Sequence, residues 1–444
     1  MESVGMKRRD FIKGVAASGA VLGATGLFSQ RASAQNEISF WTTETQEARI
    51  ALQEGLAKRF GDQSGIKVNV VPAPENELAQ RVTAAFAAGN LGDVIFHPID
   101  FTIGWAEQGI LNTEAATGAI NALGAGSFSA GPLNLSAVDG GWAAVPGDGW
   151  GQLVLYRKDL FDDKGLAPPA SFSAMLAAAQ QLHDGANEFY GIDVSSAPDQ
   201  TFTQQVFEEF ALANNAKLVD KAGNINLNTP EMVETLSVYK SLNSFSQPGS
   251  IWWLQSRANF LARKSAMTVW SPFILDELAG LRDSVLPVDN NVHKDTGIVT
   301  RLKGPNGQAQ YGQVSFFGIS ADANVSAAQQ WVQFLVSDGY LDWLSMAPEG
   351  KFPMRPEFVN GWGQLEFGVD KRAPINSLYS QDTIDNILEG VQNFDRWGFA
   401  AGKGALITSI YSTKTVPQSI ARMLNNEITP VQAAAEIDQA VKAL

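Results

Sequence analysis

The chain has 444 residues, 45% of them hydrophobic and 10% aromatic, no cysteine, and a formal net charge of −14. Such a composition excludes a disordered chain, and the length exceeds the roughly 250–300 residues at which single cores stop growing, so two or more lobes are expected. The acidic balance argues against nucleic acid or an anionic membrane as the main partner, and the lack of cysteine excludes disulfides and a lipid-anchored cysteine.

In chain order, the first 34 residues read as a secretory signal peptide. They have a basic start at Lys7-Arg8-Arg9, an apolar stretch from Val15 to Phe28, and small residues at Ala32 and Ala34 before a cut after Ala34. Arg8-Arg9-Asp10-Phe11-Ile12-Lys13 resembles the twin-arginine export motif. Ser18, Thr25 and several glycines make the apolar stretch poor as a span of about 20 apolar residues, and no second such run follows. A soluble protein exported to the periplasm is expected. Five basic and two acidic residues lie in this segment, which leaves 27 Lys and Arg against 44 Asp and Glu, a net charge of −17.

The stretch "ISFWTTETQEARIALQEGLAKRF" predicts a buried strand, a polar turn at Thr42 to Gln46, and a helix with Leu52, Leu56 and Phe60 on one face. "IKVNVVPAP" reads as a second strand, and "ENELAQRVTAAFAAGN" as a helix stopped by Gly89. "DVIFHPID" is a third, fully buried strand, followed by a short helix around Trp105. Alternating strands and helices predict an open parallel sheet covered by helices. Thr117 to Ala137 is expected to be an irregular connection. "GGWAAVPGDGWGQLVLYRKDLFDDKGL" reads as two strands with a polar interruption at Gly147-Asp148-Gly149. A helix from Ala170 to His183, a strand near Tyr190–Val194 and a helix from Thr201 to Asn214 come next. "YGQVSFFGIS" is a further strand, "KFPMRPEF" an extended segment, and the end from Gln392 is mainly helical.

Enzyme signatures are missing. The three histidines, His97, His183 and His293, have no metal-ligand spacing, and Gly-x-Ser-x-Gly, P-loop and dinucleotide fingerprints are absent. No carboxylate pair stands out as a glycosidase dyad. No cofactor, metal or catalytic residue is expected. Polar and aromatic residues instead collect at strand ends, where open α/β sheets bind ligands. These are Glu44-Thr45-Gln46, Glu75-Asn76, Asp100 and Asp148-Gly149-Trp150. Helix capping competes with ligand contact for Thr43 and Asn76. Trp270 and Phe273 lie just beyond a short buried strand in "AMTVWSPF". Aromatic faces beside carboxylates and amides suit a sugar pocket, although core packing competes for each tryptophan.

Taken together, "ISFWTTETQEARIALQEGLAKRFGDQSGIKVNVV", "GDVIFHPIDFTIGWAEQGIL", "VPGDGWGQLVLYRKDLFDDKGLAPPASF", "ANFLARKSAMTVWSPF", "YGQVSFFGIS" and "KFPMRPEF" resemble, in order and spacing, the carbohydrate solute-binding proteins of ABC importers, the maltose-binding-protein-like family. The resemblance implies an α/β, two-lobed periplasmic binding protein fold of type II, with a ligand cleft between lobes that close by hinge motion. It implies one lobe from residues 36–146 and 312–350 and another from 150–309 and 353–444, with "VPGDGWGQLVLY", the stretch before "YGQVSFFGIS", and "KFPMRPEF" as crossings. Asp100 stands where the family has a sugar-binding aspartate, and Phe273, with Trp270 close by, stands near a sugar-stacking tryptophan. Trp150 replaces a ligand-binding glutamate, which departs from the maltodextrin pattern. Thr201, Gln204, Arg355 and Tyr411 stand at further contact positions. The expected partners are a small carbohydrate and a membrane permease, the expected state a monomer. A polyamine, sugar acid or phosphorylated polyol as ligand, an exported glycoside hydrolase, and coupling to a chemoreceptor are the alternatives.

Overall fold

The computed structural model describes residues 36–282, 289, 291–368 and 370–444. The expected signal segment, residues 1–34, lies outside the described residues.

The opening stretch folds as β1 (Glu37–Thr42), a helix Glu47–Ser64, β2 (Lys67–Pro72), a helix Glu75–Ala88 and β3 (Val94–Pro98). The apolar residues of the first helix recur at helical spacing, so Leu56 and Phe60 turn inward and are buried. β1 pairs in parallel with β2 on one side and β3 on the other. Every residue of β3 is buried, as its unbroken apolar run predicts. A helix Ile99–Glu107 leaves its end.

Most of the remaining strands join two main sheets, and two short two-stranded pairs stand apart from them. β4 (Val145–Gly151) leads straight into β5 (Leu153–Arg157), with only Gln152 between them. β6 (Met267–Trp270) and β7 (Thr296–Val299) flank β5 in a three-stranded antiparallel sheet. β8 (Gln308–Ile319) and β9 (Phe352–Pro353) complete the larger sheet, whose main path runs β9-β4-β8-β3-β1-β2. β8 is antiparallel to both β3 and β4. Its first half pairs with Leu302–Lys303 and Phe394–Asp395, and its second half lies against β3. Two long segments, β4 running into β5 and β8, therefore pass between the two halves of the molecule. Each half has its own aromatic core. Phe96 meets Trp343 edge-on at 4.7 Å in one, and Phe210 meets Tyr239 at 5.3 Å in the other.

Three local expectations are corrected. Gly147-Asp148-Gly149 lies within β4, where the pairing with β8 shifts register at Gly147, and the break between the two strands comes at Gln152. Glycine recurs there because a Cβ at Gly147 would stand 2.8 Å from the Phe317 ring and one at Gly151 2.4 Å from the Gln310 amide. Alternate residues Asp148, Trp150 and Gln152 send their side chains off the other face. The region from Thr117 to Ala137 is not irregular: helices Thr113–Leu123 and Ala130–Leu135 occupy much of it. Ala115, Ala116, Ala119 and Ile120 form a buried stripe, and the Asn112 side chain caps the first of these helices. Tyr190–Val194 forms isolated bridges to Ser265 and Thr268 instead of a strand.

Candidate ligand-binding cleft

A crevice between the two halves has Glu44, Glu75 and Asp100 near one another on one side and Trp150 of β4 and Trp270 of β6 in one pocket on the other. On the aromatic side a pocket of about 400 Å³ is lined by Trp150, Gln152, Thr201, Phe202, Trp253 and Trp270 among others. Trp150 is half-buried, with its ring 6.0 Å from Tyr311 and 6.4 Å from Phe273. Trp270 is mostly buried, 4.7 Å from Phe202 and 6.2 Å from Trp253. Thr201 opens the helix Thr201–Ala213, and its hydroxyl accepts a hydrogen bond from Lys414. Another concavity, about 320 Å³ between residues 215–221 and 395–401, includes Arg396 in its lining, but that guanidinium is turned to Glu208 and Gln313.

The polar lining of this pocket is Gln152, Asp199, Gln200, Thr201, Gln205 and Ser271. Gln152 is 2% exposed, and neither its amide nitrogen nor its oxygen has a partner; the amide of Gln204 is equally buried and equally unpartnered. Leaving a buried polar group unsatisfied costs about 1–3 kcal/mol. Gln152 lines the pocket, whereas on the next helix it is Gln205, not the neighbouring Gln204, that does.

The ionic groups of the crevice are largely engaged with one another. At the turn after β1, Glu44 sits 2.5 Å from Lys351 and 2.5 Å from Arg49. Burial alone would raise the Glu44 carboxyl, but these two cations outweigh it and hold the group at about 2. Lys351 also donates to Asp148 at 3.0 Å, and the Trp343 indole donates to the same oxygen at 2.7 Å. Asp148 is raised by its burial despite Lys351 beside it. Thr45 and Gln46 are exposed on the turn, and Gln46 stands at the helix N-cap without a side-chain cap bond. The expected capping by Thr43 does not occur, and Thr42 instead accepts from the Glu44 backbone N–H at 3.1 Å.

A second group surrounds Asp100. Its carboxylate accepts from Gln313 at 3.2 Å and lies 3.9 Å from Arg396. Arg396 is fully buried between the rings of Tyr311, Phe399 and Tyr411, donates to Glu208 at 3.0 Å and to Gln313 at 2.6 Å. Tyr411 lies on the helix Gly404–Thr413, which packs against Ile99–Glu107, and its hydroxyl donates to Glu208 at 2.7 Å. Tyr411 is thus an internal support for Arg396. Glu75 opens its helix, and burial together with the nearby charges of Asp100 and Glu44 raises its carboxyl. The side chain of Asn76, beside it, lies outside the described residues.

One expected contact, Arg355, is placed otherwise. Arg355 is turned away from the crevice, donating to the Val336 carbonyl at 2.6 Å, pairing with Glu357 at 2.5 Å and lying over the rings of Phe128 and Phe358. Phe273 is 37% exposed and rests on Gly350 as well as beside Trp150. Sequence reasoning did not single out Gln152, Phe202, Trp253, Gln313, Lys351, Glu208 or Arg396. Gln152 had a signal, a lone amide between two buried strands, as did Glu208-Glu209 in the otherwise apolar run from Val206 to Ala213. Lys351 and Arg396 are brought in by tertiary contacts alone. His97, considered for chemistry, is a core residue: burial lowers it to about 4, and its ring bonds the Ile95 carbonyl and Thr102.

The chain matches the model of the bacterial extracellular solute-binding protein family over residues 43–341. It is 28% identical over 388 residues, 84% of this chain and 87% of the relative, to YcjN of Escherichia coli (strain K12), provisionally named an ABC transporter periplasmic-binding protein. Its fold is similar to maltose-bound MalE3 of T. maritima, with a TM-score of 0.66, 19% identity, and coverage of 92% of this chain and 99% of that one. It is also similar to an Agrobacterium radiobacter K84 ABC transporter solute-binding protein in complex with ribitol, with a TM-score of 0.65, 19% identity, and coverage of 92% and 98%. With a family match across two thirds of its length and a two-sheet architecture joined by crossing strands, the chain belongs to the bacterial extracellular solute-binding proteins and has the type II periplasmic binding protein fold.

Proposed function

We propose that this protein captures a small uncharged carbohydrate, a disaccharide, glycoside or polyol glycoside, by hinge closure and delivers it to the permease of an ABC importer. One observation carries the reading: a pocket whose lining combines the aromatic residues Trp150, Phe202, Trp253 and Trp270 with the hydrogen-bonding residues Gln200, Thr201 and Gln205. Aromatic faces suit the C–H faces of sugar rings, and carboxamides suit hydroxyls. The nearby charges of Glu44, Asp148 and Arg396 are met by protein partners. The maltose and ribitol bound by the two similar structures agree with a sugar or polyol.

In this reading residues 36–146 and 312–350 form one lobe and 150–309 and 353–444 the other, with Glu44, Gln46, Asn76 and Asp100 on the first wall. Ligand contact with both lobes stabilises the closed form by its differential affinity for that state. The protein works as an exported periplasmic monomer, carried by its twin-arginine-type signal, and breaks no bond in its ligand.

One observation favours a different ligand. Glu75 has no ion-pair partner among the described residues and belongs to an acidic wall with Asp100 and Glu44, which would suit a polyamine. A thermal-shift screen of the mature chain separates the two. Maltose, D-tagatose, ribitol or a related neutral compound should raise the melting temperature and be recovered chemically unchanged. A response to spermidine alone would overturn the carbohydrate reading, and released monosaccharide would make the protein a hydrolase.

A further inference from the structure

We propose that Arg282 and Glu349 form a proton-dependent latch between the two halves, seated while the carboxylates around Arg282 carry a proton and loosened when that proton leaves. The proposal goes beyond ligand capture and rests only on the hinge closure in the reading above.

The latch is built from residues of both halves. Asp276 and Glu277 lie on the short helix Leu275–Leu278, after β6 of the three-stranded sheet, and both are buried. Arg282 follows them, 3.0 Å from Asp276 and 3.7 Å from Glu277, and Arg257 lies 3.0 Å from Glu277. Within this half two carboxylates therefore meet two guanidiniums. Glu349 comes from the other half, beside the Gly350 on which Phe273 rests. It is 6% exposed and lies 3.6 Å from Arg282. The cation on its own side, Arg49, is taken up by Glu44 at 2.5 Å. Tyr379 also faces Asp276, with its hydroxyl donating to the Leu275 carbonyl at 2.6 Å.

Bringing the halves together thus adds a third carboxylate to a cluster whose own cations number two. Like charges gathered in a buried site favour uptake of a proton. Glu277 Oε2 is closed to solvent and has no hydrogen-bond partner among the described residues, so no donor there offsets the excess. Burial and the charge of Asp276 raise the Glu349 carboxyl against the pull of Arg282 and Arg49. Burial also raises Asp276 and takes Glu277 to about 7. When the halves separate, Glu349 leaves Asp276 and Arg282 behind and returns towards the ordinary carboxyl range. The seated form therefore holds more protons than the separated form, and it gives way as pH rises through the raised values. One linked proton changes the seated-to-separated ratio by at most about tenfold per pH unit.

The test is small-angle scattering of the ligand-free mature chain from about pH 5.5 to about pH 8.5, with Glu349→Gln, Glu277→Gln and, as a separated reference, Gly350→Val. The wild-type radius of gyration should rise with pH towards that of Gly350→Val. Each glutamine variant leaves two carboxylates against two cations, so it should keep the smaller radius, with the pH-dependent shift reduced about threefold or more. A constant wild-type radius beside an expanded Gly350→Val, or a full pH response in either glutamine variant, would overturn the latch and leave hinge closure standing. Failure of both glutamine variants to fold would mark the cluster as structural and overturn it as well. No change in any of the four proteins at any pH would remove the hinge closure on which the latch rests.

Discussion

The ring of Phe273 lies on the backbone of Gly350, so close that a Cβ on that glycine would stand 1.8 Å from the ring's Cζ. Phe273 follows β6 of the three-stranded sheet, whereas Gly350 precedes β9 at the edge of the larger one, so the contact ties the two halves across the crevice. Arg282 approaches Glu349 at 3.6 Å beside it. Gly350→Val is incompatible with the ring in this position. It is expected to shift the protein towards an open form, with a larger radius of gyration in small-angle scattering and ligand affinity weakened about tenfold. Unchanged scattering and affinity would show that this contact does not hold the halves together.

Lys351 is expected to be the most sensitive charge in the cleft wall. It is buried, bridges Glu44 and Asp148, and lies 5.1 Å from the ring centres of both Phe96 and Trp343. Lys351→Met leaves two carboxylates without their shared cation, a loss that typically costs about 3–5 kcal/mol. Urea unfolding should show a lower midpoint with an unchanged slope, and the deficit should shrink at acid pH as the carboxylates protonate. A midpoint equal to wild type would contradict the bridging role.

Stability should fall as pH rises from about 5 to above 8. Burial raises Glu209 to about 8, Glu277 to about 7 and Asp193 to about 6. Between the ordinary carboxyl range and those values the folded state binds more protons than the unfolded state. The contribution is therefore complete at the acid side of the window and is lost as pH passes through the folded values. Glu209 accepts a hydrogen bond from the backbone N–H of Tyr311 on the crossing strand β8. In Glu209→Gln the decline above neutral pH should flatten, as read by melting temperature across pH 6 to 9. Glu44 acts in the opposite sense: held at about 2, it contributes stability above its ordinary range that is lost as pH falls towards that value.

The two pocket tryptophans should separate binding from stability. Trp150 is half-buried and lines the pocket, so Trp150→Ala should weaken sugar binding about tenfold with little change in melting temperature. Trp270 is 6% exposed and packed against Phe202 and Trp253, so Trp270→Ala should also cost about 3–5 kcal/mol of stability. Equal stability of the two variants would deny that Trp270 is packed more deeply into the core than Trp150.

The parts of this fold that repeat a local pattern were legible in the sequence. β1, β2 and β3 announce themselves by apolar runs, the intervening helices by stripes such as Leu56 and Phe60, and the crevice by polar residues at strand ends. The glycines of β4 misled because glycine signals a turn locally, whereas here it makes room for Phe317 and Gln310. Arg355 misled because its position along the chain is near the crossing, yet its guanidinium is captured by the Val336 carbonyl and Glu357. Arg396 lies about 300 residues from Asp100 along the chain, and no local spacing foretells that meeting.

The central claim is that the aromatic and amide cleft takes an uncharged polyhydroxylated ligand. Titration calorimetry of the mature chain with maltose, D-tagatose, ribitol, D-glucuronate and spermidine tests it most directly. One-to-one binding of at least one neutral compound, with a negative heat-capacity change and no binding of the charged pair, is the predicted result. Saturable binding of D-glucuronate or spermidine, with none of the neutral compounds bound, would contradict it.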